Sequence, residues 1–165
     1  MVKIIGIDPG LAGTGIGLVC GTGVKVTSFS YGSINTSKKM PLPQRLEYIF
    51  SKLSIILKNE QPNLIVVEDV FSLEKYPKSG IILGKVVGVI LLAGCQAKAE
   101  IMEVPVREAK QVLTGNGKAS KDQLEKAVRE FLSLEKAIRP FHASDALGLA
   151  LIGLFRYGSL IRRKM

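Results

Sequence analysis

Two short apolar runs, each followed directly by an acidic residue, constrain this chain more than any other feature. Residues 4–7 read Ile-Ile-Gly-Ile and precede Asp8, and residues 64–67 read Leu-Ile-Val-Val and precede Glu68. Residues 2–7 predict a strand that is followed by a turn. The wholly apolar run at residues 64–67 predicts a strand that is covered on both faces, as parallel strands in α/β proteins are. Because ligands in open α/β sheets bind at the carboxyl ends of the strands, the two acidic residues mark a candidate site.

The rest of the pattern predicts one α/β domain. Further strands are predicted at residues 15–19, 24–31 and 100–104, and helices at residues 41–59, 79–98, 105–114, 120–132 and 143–157. This order predicts a mixed five-stranded sheet, with three antiparallel strands followed by parallel ones, flanked by helices. With 165 residues, the chain has room for a single domain, which we place at residues 1–157, followed by a short basic tail at residues 158–165.

The charge of the chain favours a polyanionic partner. Lys and Arg number 23 and Asp and Glu number 14, which gives a formal net charge of +9. Such an excess suits nucleic acid first and an anionic membrane surface second. The alternative is a small basic protein that binds neither.

The cysteines and the apolar segments predict a cytoplasmic protein without a membrane segment. Cys20 and Cys95 lie far apart and form no CxxC pair, which argues against a disulfide scaffold or a zinc site and fits a reducing compartment. An aspartate interrupts the apolar start, so the first residues do not resemble a signal peptide. Residues 81–95, the longest apolar run, contain a lysine and are shorter than the ~20 residues of a membrane span. We therefore expect residues 79–98 to form a central buried helix.

Asp8 and Glu68 are expected to lie on neighbouring strands. Two nearby carboxylates repel each other unless a cation lies between them. A hard divalent ion with oxygen ligands is the natural occupant of such a site. The alternative for each residue is that it ends a strand and faces water, and the presence of both favours the metal site.

A histidine and an aspartate near the end of the chain form a second polar group. His142, the one histidine of the sequence, and Asp145 lie three residues apart, so on a helix they share a face. Residues 146–151 are apolar, which places the pair at the mouth of a buried helix. Near a helix N-terminus, Asp145 also gains from the helix dipole. The alternative is a helix cap with a surface imidazole.

Basic and aromatic residues supply candidate nucleic-acid contacts. Lys110, Lys118 and Lys121 flank the Gly-Asn-Gly sequence at residues 115–117. A loop of this kind can bring ammonium groups and backbone N–H donors to a phosphate. Phe71 follows the second acidic strand and could stack on an unpaired base. The alternatives are a solvated loop for the lysines and the edge of the core for Phe71.

Taken together, these segments resemble the RuvC family of Holliday junction resolvases, within the ribonuclease H-like superfamily. The resemblance rests on five motifs in the family's order, at residues 6–15, 67–71, 78–88, 105–121 and 142–147. The first contains Gly-Ile-Asp-Pro-Gly and Gly-Thr-Gly, and the last reads His-Ala-Ser-Asp-Ala-Leu. The resemblance implies a structure-selective endodeoxyribonuclease that resolves four-way DNA junctions by paired symmetric nicks during recombination and repair.

The resemblance implies that Asp8, Glu68 and Asp145 are metal ligands. His142 occupies a position where the family often has a fourth carboxylate, and it would complete the ligand set. The hypothesis is hydrolysis with two Mg²⁺ ions, about 3.5–4 Å apart and bridged by Asp8, while Lys121 stabilises charge on the phosphoryl oxygens. Since imidazole suits transition metals better than Mg²⁺, Mn²⁺ is predicted to support activity at least as well.

The resemblance also implies DNA contacts and protein partners. Lys110 matches a lysine that supports binding or catalysis, and Phe71 matches an aromatic residue that stacks at the centre of the junction. Family members are homodimers that work with a branch-migration complex of RuvA and RuvB, and the resemblance implies that the central helix at residues 79–98 forms the dimer interface and lies near the DNA. Lys85, Val87 and residues 73–76 depart from the family's pattern, which leaves the preferred cleavage sequence and partner contacts open.

Three other functions fit parts of the pattern. A ribonuclease H-like nuclease could act on RNA or on an RNA–DNA hybrid, and a junction-binding module could bind DNA without cutting it. The Gly-Ile-Asp-Pro-Gly motif is also similar to the phosphate loop of actin-like ATPases and sugar kinases. Those proteins need a second domain, for which 165 residues leave no room.

Overall fold

Five strands of the described chain form a single mixed sheet. The computed structural model describes residues 1–69 and 77–164, with only the backbone of residue 77 and of residues 158–164. The strands are β1 Val2–Asp8, β2 Gly13–Thr22, β3 Lys25–Asn35, β4 Leu64–Asp69 and β5 Glu100–Pro105. Their order in the sheet is β3-β2-β1-β4-β5. β2 is antiparallel to both β1 and β3, and β4 is parallel to both β1 and β5. The predicted mixed sheet is confirmed.

Five helices cover the two faces of this sheet. They are α1 Leu42–Glu60, α2 Pro77–Gln96, α3 Val106–Thr114, α4 Lys121–Phe131 and α5 Phe141–Lys164. Ile5 and Ile7 of β1 belong to the core under α1 and α2, whereas Ile4 belongs to the core under α3, α4 and α5. All three side chains are fully buried. This burial on both faces explains why the run before Asp8 is aliphatic throughout.

α5 lies directly on β1 and β2 because glycines face it. A Cβ at Gly6 would collide with the backbone carbonyl of Ala146, and a Cβ at Gly15 would collide with the backbone carbonyl of His142. At Gly17 the added atom would lie 2.5 Å from the backbone nitrogen of Leu147. This close packing brings the first turns of α5 to the carboxyl end of β1.

α2 is not the central buried helix that the sequence predicts. Val86, Ile90 and Ala93 are buried, but Ile81 and Leu92 on the same helix are 64% and 52% exposed. By length and composition, Lys78–Gln96 is the one helical span in the described part of the chain that could cross a membrane, and 28% of it is buried. Hydropathy does not tell whether an apolar face is covered within the chain or by another molecule. The prediction was wrong for this reason.

α5 is longer at both ends than the sequence predicts. It begins at Phe141 and extends to Lys164, so its backbone includes most of the segment that the sequence analysis treats as a basic tail. The domain boundary at residue 157 stays a prediction. The other helices and strands begin and end within a few residues of their predicted bounds.

Gly15→Ala is expected to lower the free energy of unfolding by about 3 kcal/mol or more, because the added methyl group meets backbone atoms of α5 that cannot move aside. Equilibrium urea denaturation measures the change. Gly32→Ala in β3 is the matched control, since a Cβ there meets nothing within 4 Å. It should change the free energy of unfolding by less than about 1 kcal/mol in either direction. Equal losses in the two variants would contradict the direct seating of α5.

Candidate active site

Three carboxylates meet at the carboxyl ends of β1 and β4. Asp8 is the last residue of β1, and Glu68 lies beside it on β4 because Ile7 pairs with Val67 in parallel register. α5 packs across the two strands and contributes Asp145 from the turn after its first. Asp8 and Asp145 are only 6% and 7% exposed. The structure therefore brings the three predicted acidic residues together, and their role as metal ligands stays a prediction.

His142 joins this group through a short contact with Asp8. Its Nδ1 lies 2.6 Å from Oδ2 of Asp8. The hydrogen bond with Asp8 raises the pKa of His142 above its ordinary value, and the partial burial of the ring opposes that rise. In the neutral ring, Nδ1 carries the proton that it shares with Asp8, and Nε2 keeps its lone pair. Nε2 is thus the nitrogen that could bind a metal ion.

Burial and mutual repulsion raise the pKa values of Glu68 and Asp145. Burial, a hydrogen bond with Asp8 and the charges of Asp8 and Asp145 raise the pKa of Glu68 to about 9. Burial and the charge of Asp8 raise the pKa of Asp145 to about 6. The charge of Lys121 opposes both shifts without cancelling them. Without a further cation, the cluster carries less negative charge at neutral pH than three ionised carboxylates would.

The donor set fits a hard divalent cation. Oδ1 of Asp145 is buried without a hydrogen-bond partner, and a coordinated ion would satisfy it. Carboxylate oxygens suit Mg²⁺ or Mn²⁺, and an imidazole adds a nitrogen donor that favours Mn²⁺. Within residues 1–69 and 77–164, no group of three His, Cys, Asp or Glu side chains already has the spacing to hold a metal ion.

Two of the three predicted lysines act on this cluster. Lys121, the first residue of α4, lowers the pKa of Glu68, while Lys110 on α3 lowers the pKa of Asp145. Lys118 is exposed on the loop between them, where its backbone N–H donates to Oδ1 of Asn116 at 2.9 Å.

The predicted stacking residue, Phe71, lies outside the described residues, as do residues 73–76. Its proposed contact with the junction stays a prediction. The described part of the site therefore consists of the acidic cluster, the imidazole and the two lysines.

One residue of the site's framework escaped the sequence analysis. Glu125 on α4 is 4% exposed, accepts a hydrogen bond from the backbone N–H of Ile138 at 2.8 Å and pairs with Arg129 at 3.2 Å. It ties the helix that begins with Lys121 to the segment that leads into α5. Its place next to the apolar stripe of α4 was the available signal, but the partner thirteen residues away could not be read from the sequence.

Comparison with known proteins supports a common origin for this arrangement. The family model described as crossover junction endodeoxyribonuclease RuvC matches residues 4–153. A relative of that name from Carboxydothermus hydrogenoformans is 36% identical over 160 residues, which are 97% of this chain and 100% of the relative.

Two solved structures of Thermus thermophilus RuvC match the fold. The protein alone gives a TM-score of 0.84 and covers 95% of this chain. The complex with a Holliday junction substrate gives a TM-score of 0.87 and covers 97% of this chain. In both cases the identity is 29% and 96% of the solved chain is matched. The ribonuclease H-like fold expected from the sequence is therefore confirmed.

Glu68→Gln is expected to stabilise the metal-free protein at alkaline pH. A carboxyl whose pKa rises from 4.5 to about 9 on folding holds its proton more tightly in the folded state. Above pH 4.5 the unfolded chain loses this proton while the folded protein keeps it. The free energy of unfolding therefore falls as the pH rises above 4.5. Glutamine does not ionise, so this loss is absent in the variant, and its free energy of unfolding should be higher by about 1 kcal/mol.

Urea denaturation with a chelator, near pH 5 and near pH 8, measures this difference as the change in the free energy of unfolding. The advantage of the glutamine should be larger at the higher pH. An advantage that is the same at both values, or a loss of stability near pH 8, would rule out a raised pKa of Glu68 in the folded protein.

Proposed function

Because the chain belongs to the RuvC family of crossover junction endodeoxyribonucleases, we propose that it resolves four-way DNA junctions by paired symmetric nicks during recombination and repair. The observation that carries the proposal is the convergence of Asp8, Glu68 and Asp145 beside Lys121 at one edge of the sheet. The match to a family member in complex with a Holliday junction substrate supports the choice of DNA.

Membership of this nuclease family implies a divalent metal ion, and we propose Mg²⁺, two ions in each active site, with Mn²⁺ able to replace it. Asp8, Glu68 and Asp145 would hold the metal through oxygen, and His142 through Nε2. When bound, the metal supplies charge neutralisation at the phosphate and a water of lowered pKa. The residues and their chemistry fit this role, since the buried Oδ1 of Asp145 gains a partner and the mutual repulsion of the carboxylates is relieved.

The protein's own groups would position the substrate and stabilise charge. Glu68 and Asp145, whose pKa values are raised, release their protons when a cation is bound. Lys121 stands at the cluster and would stabilise the negative charge that develops on the phosphoryl oxygens. Lys110 and Lys118 would contact the DNA backbone, and the net charge of +9 makes the affinity depend on salt.

We propose a homodimer in which the exposed apolar face of α2 contacts a second copy of the chain. Ile81 and Leu92 are exposed on this helix, and a Cβ at Gly84 or Gly88 would meet open space. A two-fold dimer presents two equal sites, which suits the approximate two-fold symmetry of a four-way junction. A second copy, rather than lipid, would then cover the apolar helix, which is consistent with a cytoplasmic location.

The two residues of α2 that depart from the family's pattern differ in what they can contact. Lys85 is exposed, whereas Val87 is 6% exposed and belongs to the folded core. Lys85 could therefore reach a partner or DNA, while Val87 contributes to packing within the chain. A branch-migration complex like that of RuvA and RuvB stays a proposed partner, and the sequence preferred for cleavage stays open.

Incubation with a labelled synthetic four-way junction and Mg²⁺ or Mn²⁺ tests the function. We expect paired symmetric nicks, and a rate that falls by at least about a hundredfold in Asp8→Asn, which keeps the size of the side chain but removes its charge. Binding without nicks would favour the non-catalytic module. Nicks in an RNA–DNA hybrid but not in the junction would favour a ribonuclease H-like enzyme.

The choice of metal tests the role of His142. The wild-type protein is expected to work at least as well with saturating Mn²⁺ as with saturating Mg²⁺, because of its imidazole donor. His142→Asp, which restores an oxygen donor, should shift the ratio of the two cleavage rates towards Mg²⁺. Cleavage by the wild type should also fall as the pH drops through the raised pKa of His142, since a protonated ring cannot ligate. An unchanged metal ratio in the variant would argue against direct ligation.

A further inference from the structure

The side chain of Gln111 closes the loop between α3 and α4. Its Nε2 donates to the backbone carbonyl of Gly115 at 2.9 Å, and its Oε1 accepts from the backbone N–H of Gly117 at 3.0 Å. One amide thus fixes two points of the loop from a position on the preceding helix. Neither the acidic cluster nor the predicted phosphate contacts include this residue.

The rest of the loop is ordered by bonds that continue from this clamp to the start of α4. Asn116 accepts from the N–H of Lys118 through Oδ1 and from the N–H of Ala119 through its carbonyl. Ala119 is buried. Ser120 then caps α4 in a reciprocal capping box with Gln123. A continuous series of contacts thus leads from Gln111 to the start of α4, and Thr114 adds two hydrogen bonds between its hydroxyl and the backbone of Asn116.

The loop needs such a restraint because of its two glycines. Gly115 has a φ of 75°, and Gly117 lies so close to Arg107 that an added Cβ would be 3.0 Å from its Cγ and 3.3 Å from its carbonyl oxygen. Glycine is suited to both places, but it also gives the backbone more freedom to leave them. The two hydrogen bonds from Gln111 act on the carbonyl of one glycine and on the N–H of the other.

The location of Lys121 makes this restraint relevant to the site. As the first residue of α4 it places a positive charge at the positive end of the helix dipole, which is unfavourable. Its charge nevertheless acts on Glu68, His142 and Asp145. A flexible lysine side chain at an unfavourable position depends on its backbone being held in place.

We propose that Gln111 is a positioning residue whose side-chain amide holds the loop at residues 115–117 so that Lys121 is kept against the acidic cluster. The proposal rests on the proposed nuclease function for its effect on catalysis. Gln111 itself does not touch the cluster; it acts through the backbone of the loop. Its loss should therefore slow cleavage more than it weakens binding of the junction.

Gln111→Met tests the proposal, because methionine keeps the length of the side chain and removes both hydrogen bonds. Gln44→Met, at an exposed position of α1, is the matched control. Under single-turnover conditions with saturating junction, Gln111→Met should lower the cleavage rate by about tenfold, with a Kd within about twofold of the wild type. The control should change neither quantity by more than about twofold.

A double-mutant cycle with Lys121→Met shows whether the effect passes through the lysine. If it does, adding Gln111→Met to Lys121→Met should change the rate by less than about twofold. An equal loss in both backgrounds, or no loss in the wild-type background, would overturn the proposal.

Amide hydrogen exchange gives a second readout that does not depend on activity. Exchange within residues 115–121 should be faster in Gln111→Met than in the wild type and unchanged in the control. If the wild-type protein fails to cut junctions, the proposed function fails while the exchange data still decide whether the clamp exists. If junctions are cut and neither exchange nor cleavage responds to Gln111→Met, the clamp is wrong and the nuclease function stands.

Discussion

The direct contact of α5 with the first two strands is the constraint on which the site depends. Glycines in β1 and β2 leave no Cβ between the sheet and the backbone of the helix. The helix can therefore place His142 within 2.6 Å of Asp8 and Asp145 in the same buried cluster. A single side chain in the interface would separate the acidic strand ends from the helix. The geometry of the site therefore depends on the close packing of this interface.

That geometry is energetically unfavourable for the folded protein when no metal ion is bound. Burial and mutual repulsion raise the pKa of Glu68 to about 9 and of Asp145 to about 6, and an oxygen of Asp145 lacks a partner. A site that is complementary to a divalent cation and a phosphate leaves its polar groups without partners when both are absent. Such sites commonly lower the stability of the protein in favour of its function. Lys121 and Lys110 relieve the repulsion in part, and the proposed clamp by Gln111 would keep Lys121 in that position.

The sequence predicted those features that follow from local pattern. The strands were predictable because burial on both faces requires aliphatic runs, and the meeting of Asp8 with Glu68 followed from parallel neighbours. The exposure of α2 was not predictable from hydropathy, which does not identify what covers an apolar face, whereas the family resemblance implied a dimer interface on this helix. The bond from Ile138 to Glu125 and the clamp by Gln111 join groups whose pairing is set by the folded backbone. The roles of the site residues stay predictions, which rest on the residue pattern and on the family resemblance.

Isothermal titration of the metal-free protein with Mn²⁺, in two buffers of different ionisation enthalpy, tests most directly whether the acidic cluster is a cation site. Binding with release of protons near neutral pH is the predicted result, because a cation must displace the proton that Glu68 holds through its raised pKa. Glu68→Gln should release fewer protons. Binding without proton release, or no binding that depends on Asp8, Glu68 or Asp145, would contradict the account.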